Sequence, residues 1–177
     1  MATIRVLCGL ICFAGLFGHW QFDRHLLTRH TAADKLIAIA QSQMAVRETS
    51  PQGQQAIRQY LQDVQLKSEA PWCAAFVSWV YHQAGYGAPR TAWSPALFPR
   101  SRQIQQPEKG AVFGIYSKNL GRIAHCGLVE KVQHDWIISI EGNTNRSGSR
   151  EGDGVYRKWR HRRAISAFAR WLPEHEK

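Results

Sequence analysis

The chain is 177 residues long, 44% hydrophobic and 20% charged, which fits one globular domain with a real core and excludes a disordered chain. Its 23 Lys and Arg against 13 Asp and Glu leave a formal charge of +10, which favours an anionic partner such as nucleic acid, a lipid surface or an acidic wall polymer. The four cysteines, Cys8, Cys12, Cys73 and Cys126, show neither zinc-type spacing nor an evenly spaced disulfide framework.

Arg5 precedes an uncharged, mostly apolar run over 6–18, which reads as an export signal or an uncleaved N-terminal anchor over residues 1–20. The run is shorter than the ~20 apolar residues a spanning helix needs. Export would place the protein in the periplasm or cell envelope, with possible contact to the membrane at its N-terminus. Cys8 and Cys12 lie in this run and read as packing residues. Residues 21–31 read as a solvated linker; His19, His25 and His30 flank or occupy it without the nearby carboxylate spacing of a metal site. The folded domain is expected over 32–172, with a tail at 173–177.

Thr31 or Asp34 opens a first helix, with Ala33, Leu36, Ile37, Ala40 and Met44 along one stripe. Glu48–Gly53 reads as a break. A second helix is expected over about Gln54–Leu61. Pro71-Trp72-Cys73 then leads into a third, apolar helix carrying Phe76, Val77 and Val80, which stops at Gly85. From Tyr86 to Gln106 the chain is Pro-rich and loop-like, with Trp93 and Phe98 suited to walling a groove.

From Gly110 the period changes to two. Strands are expected over 111–116, 123–132, 136–142, 155–159 and 164–171, with a tight turn at Gln133-His134-Asp135. Helices first and antiparallel strands after argue an α+β fold.

Cys73 in the first turn of a helix meets free backbone N–H groups and partial positive charge, which favour a thiolate and can hold an oxyanion. A nucleophilic thiol needs a base, and the base needs a third group to orient it. His125 is mid-strand, with Gly127 on its face leaving room for a neighbour. On the next strand Ile137, Ser139, Glu141 and Asn143 share one face by alternation, so Glu141 or Asn143 can reach the far ring nitrogen.

Three motifs, Pro71-Trp72-Cys73-Ala74-Ala75-Phe76-Val77, Ile123-Ala124-His125-Cys126-Gly127-Leu128-Val129-Glu130 and Ile140-Glu141-Gly142-Asn143-Thr144, resemble those of the CHAP domain, the cysteine, histidine-dependent amidohydrolase/peptidase family. The resemblance spans roughly Ala33–Trp171. It implies a papain-like fold, helices packed on an antiparallel sheet, and cleavage of peptidoglycan at the muramoyl–L-alanine amide or within the stem peptide or bridge. It implies Cys73 as nucleophile, His125 as base, Glu141 as its orienting partner and Asn143 as a further polar member. Trp72 and Trp93 are the expected substrate contacts. No metal or cofactor is expected, and the chain is expected to act as a monomer. Cys126 departs from the family, which usually has a β-branched residue there. Alternation points it away from His125, so it is expected to pack rather than react.

Two other readings compete. One is a wall-binding module of the same fold with a dead site. The other is nucleic-acid binding through Arg157-Lys158-Trp159-Arg160-His161-Arg162-Arg163, a run that equally reads as a charged edge strand. An exported protein makes nucleic acid a poor partner.

Overall fold

The computed structural model describes residues 31–147 and 152–173. The expected leader and linker, with their two cysteines and three histidines, lie outside the described residues apart from Thr31. Among the described residues no helix is long and apolar enough to cross a membrane.

Three helices come first. In α1 (Ala32–Ser42) the Thr31 hydroxyl accepts from the Asp34 amide while the Asp34 carboxylate accepts from the Thr31 amide, so two orphan donors are satisfied reciprocally. Helix α2 (Pro51–Asp63) begins inside the segment expected to be a break. Ser50 caps the Gly53 amide and Pro51 takes the first helical position, so Ser-Pro starts the helix there. Helix α3 (Cys73–Gln83) is the hub, with eight of its eleven residues buried. The Tyr60 ring of α2 lies 5.8, 5.5 and 5.0 Å from those of Trp72, Phe76 and Trp79.

The expected groove-walling loop is less irregular than its prolines suggest. It holds helical turns at Ser94–Leu97 and Arg100–Arg102, then a short strand, β1 (Gln103–Ile104). Ser94 and Leu97 are buried, as is Phe98. Five longer or later strands follow: β2 (Val112–Ser117), β3 (Arg122–Gln133), β4 (Trp136–Thr144), β5 (Gly154–His161) and β6 (Ala167–Ala169). All pairs are antiparallel, in the order β1-β6-β2-β3-β4-β5. The β3–β4 turn is two residues, with Gln133 paired to Trp136 and His134 at φ 55°. The last strand is shorter than expected: a helical turn occupies Arg162–Ala164, and pairing with β2 covers only Ala167–Ala169.

The fold is therefore α+β, three helices on a six-stranded antiparallel sheet, as the motifs implied. One sheet face, with Val112, Cys126, Leu128, Ile140, Val155 and Ala169, joins the helices in the main core. The other carries a smaller cluster of Ala111, Phe113, Val129, Ile137 and Phe168.

Two glycines let the strands approach what they position. A Cβ on Gly142 would lie 2.7 Å from Phe76 and from the Trp72 ring, so β4 can rest its backbone against the start of α3 only without a side chain there. A Cβ on Gly127 would lie 2.7 Å from Glu141 Cγ and 2.8 Å from the Phe113 ring. Gly127→Ala is accordingly expected to lower stability by about 1–3 kcal/mol through overpacking and to displace the Glu141 side chain. A denaturant midpoint equal to that of the unmodified protein would contradict this.

Candidate active site

The main-chain architecture brings Cys73, His125 and Glu141 together. Cys73 is the first residue of α3, and its preceding cap residue, Trp72, makes no side-chain capping bond. The first intrahelical bond runs from the Phe76 amide to the Trp72 carbonyl. The Cys73, Ala74 and Ala75 amides thus have no acceptor within the helix, and the positive end of the helix dipole is at the sulfur.

His125 stands on β3 opposite Ile115, and Glu141 on β4 lies across Gly127 from it. His125 Nε2 and Glu141 Oε2 are 2.8 Å apart. The ring is also electrostatically coupled to the Cys73 sulfur: the thiol raises the His125 ring and the ring lowers the thiol.

Glu141 is fully buried. Burial alone would raise its carboxyl, but hydrogen bonds from Arg160 and then His125 outweigh that and hold it at about 2. Arg160 Nε and Nη2 reach its two oxygens at 2.8 and 2.6 Å, a bidentate clamp, and the Ser139 hydroxyl donates to Oε1 at 2.6 Å. Burial pulls the His125 ring down, yet the Cys73 bond and then the Glu141 bond raise it to about 9. The Cys73 thiol is held well below its usual range, first by a hydrogen bond with Cys126 and, against burial, by His125 and Ser94. Such a set can rest as thiolate and imidazolium with a carboxylate behind it.

The other residues singled out from the sequence fall in different settings. Asn143 adopts φ 52° where the β4–β5 register shifts between Glu141 and Thr144, and the far nitrogen of the ring is engaged by Glu141 instead. Trp72 is a core residue: it is 3% exposed, its ring packs on Tyr60, and Nε1 donates to Glu48 at 2.8 Å, so its face offers no surface to a substrate. Trp93 is 54% exposed beside Ser94, with the Arg122 guanidinium 4.2 Å from its ring centre. Cys126 packs as expected, fully buried in the main core on the helix-facing side of β3. What it meets there is the first turn of α3. Its thiol influences Cys73 and lies 3.9 Å from the Ser94 hydroxyl.

Ser139, Arg160 and Ser94 were not singled out from the sequence. Ser139 shares the alternating face of Glu141, which is a readable signal. Arg160 is in the basic run, whose members are partly spoken for: Arg160 clamps Glu141, and Arg157 pairs with Glu130, with Nη2 to Oε1 at 2.7 Å. Ser94 is brought in by tertiary contact. Ser78 of α3 donates to the Thr91 carbonyl at 2.9 Å and accepts from its amide at 3.0 Å, which fastens this loop over the helix. Among the described residues no group of three or more His, Cys, Asp or Glu could hold a metal ion.

Comparison with known proteins gives one family. The model for the CHAP domain matches residues 65–143, a span narrower than the resemblance read from the motifs but holding Cys73, His125, Glu141 and Asn143. No curated protein matches the chain.

Proposed function

We propose, from the CHAP domain at residues 65–143 and the peptidoglycan hydrolase or amidase type of function it carries in general terms, that this protein cuts an amide bond of peptidoglycan with Cys73 as nucleophile. The bond is the muramoyl–L-alanine amide or one within the stem peptide or bridge. What supports this reading most is the run of contacts from Glu141 through His125 to the Cys73 sulfur at the N-terminus of α3.

The Cys73 thiolate attacks the amide carbonyl, and the developing oxyanion meets the amides of the first turn of α3. The His125 imidazolium protonates the leaving amine, which departs and leaves a thioester on Cys73. His125, now neutral, takes a proton from water, and the resulting hydroxide releases the acyl group. Glu141 keeps Nε2 engaged through both steps, so the opposite nitrogen carries the proton traffic. The peptide portion of the substrate lies along Trp93, where Arg122 offers a positive charge to a stem-peptide carboxylate. Export to the cell envelope fits this substrate, and the apolar run at 6–18 is the sequence feature that supports it.

Digestion of defined muropeptides followed by mass spectrometry tests the reading. New L-alanine N-termini with peptide-free glycan indicate an amidase, fragments divided between amino acids an endopeptidase, and intact muropeptides overturn the proposal.

The inert-module alternative separates by thiol chemistry. Iodoacetamide should alkylate Cys73 near neutral pH much faster than Cys126, whose thiol is pushed up by burial and by Cys73. Hydrolysis should hold across neutral pH and fall as pH passes about 9, where His125 loses the proton that the leaving amine needs. Slow and equal labelling of both thiols would favour the inert module.

A further inference from the structure

The active-site sulfur has a second thiol beside it that the hydrolytic mechanism does not use. Cys73 Sγ is 3.4 Å from the Ser94 hydroxyl and Cys126 Sγ is 3.9 Å from the same oxygen. Both cysteines are free and buried, Cys73 at 3% exposure and Cys126 at 0%. Cys126 projects from β3 toward the helix layer, with Leu128 on the same face and Ser94 held above by the Ser78–Thr91 bonds. We propose that Cys126 is a resolving thiol for Cys73: peroxide oxidation of the nucleophile is captured as a Cys73–Cys126 disulfide, a reversible modification that shuts the site.

The inference takes the nucleophilic character of Cys73 from the proposed function. The chemistry balances with hydrogen peroxide as oxidant. The Cys73 thiolate attacks one peroxide oxygen, the S–O bond forms as the O–O bond breaks, and the departing hydroxide takes up a proton to become water. Sulfur is oxidised to the sulfenic acid and peroxide is reduced. Cys126 then attacks the Cys73 sulfur, the S–S bond forms, the S–O bond breaks, and the hydroxyl leaves as water with the Cys126 proton. An external dithiol reverses the disulfide and returns both thiols.

Cys126 suits the second step and not the first. It is sealed from solvent and its thiol is pushed up by burial, so peroxide finds little thiolate there. Once Cys73 is a sulfenic acid its negative charge, one of the causes that push the Cys126 thiol up, is gone, so Cys126 can ionise and attack, and capture stops the climb to the irreversible sulfinic and sulfonic acids.

The test is peroxide titration of the full chain, alkylation of remaining thiols, and non-reducing peptide mapping. The expected product is a peptide pair joining Cys73 to Cys126, two hydrogens lighter than the separate peptides, with hydrolysis of muropeptides lost in step and recovered on adding dithiothreitol. In Cys126→Ser, each rate being referred to its own untreated protein, the same peroxide dose should leave Cys73 as sulfinic or sulfonic acid with no recovery. Wild-type protein that yields over-oxidised Cys73 and no linked pair overturns the inference, whatever the variant does. Protein that cuts no muropeptide before treatment yet forms the pair under peroxide overturns the functional reading and leaves this one standing.

Discussion

Cys73→Ala should leave no hydrolysis of peptidoglycan above background, a loss of about 10⁶-fold by comparison with removal of other triad nucleophiles. His125→Ala should be equally silent, because the thiolate and the leaving-group proton both come from the pair. The structural ground is that the sulfur stands at the free N-terminus of α3 while the ring is held at 2.8 Å by Glu141. Alanine suits both the helix start and the tightly packed neighbourhood, so Cys73→Ala should fold normally. A second readout separates a catalytic role from a packing one. Burial depresses the His125 ring, and the Cys73 bond is the foremost of the contacts that raise it to about 9. Its NMR titration in Cys73→Ala should therefore move down toward the ordinary histidine value. A Cys73→Ala protein that clears peptidoglycan like the wild type ends the proposal, and a ring titration that does not move would uncouple the imidazole from the sulfur.

The motif residues were legible because each has a local signature. Pro71-Trp72-Cys73 announces a helix start whatever surrounds it, and the even spacing of His125 with Gly127, and of Ser139 with Glu141, puts them on matching faces of a hairpin. What the sequence could not disclose depends on long-range packing. Ser94 is 21 residues from Cys73 in the chain and comes to it only through the Ser78–Thr91 bonds. Arg160 looks like one more charge in a basic run until β5 pairs with β4 and Ile137 falls opposite it. Trp72 and Trp93 carry the same side chain, but one lies under α2 and the other at the surface, and composition does not tell them apart. Alternation correctly separated His125 from Cys126. It was silent on the placement of α3, whose first turn both residues reach.

The second large effect belongs to Glu141, and it runs through stability as well as rate. Glu141→Gln should lower turnover by about 10⁴-fold, as loss of an orienting carboxylate does elsewhere, less than loss of the nucleophile. Asn143 offers little relief, because it sits in the left-handed region just past Glu141 and the ring nitrogen is engaged by Glu141 alone among the described residues. The substitution also leaves Arg160 without its bidentate carboxylate. Breaking a buried pair by removing one partner costs about 3–5 kcal/mol, and the low end applies here because the Arg160 side chain keeps 23% of its surface in solvent. Linkage gives this a pH signature. The Glu141 carboxyl is lowered from 4.5 to about 2, so its contribution is full above 4.5 and disappears as pH falls through about 2. The gap between the wild type and Glu141→Gln should be widest at neutral pH and close toward pH 2. His125 works with the opposite sign: raised from 6.5 to about 9, it stabilises below 6.5 and its contribution fades as pH climbs through 9. Without the carboxylate that fade should begin at lower pH. Urea midpoints for the two proteins across the acid and alkaline limbs check both signs, and parallel curves would mean that Glu141 is not held as an ion against Arg160 and His125.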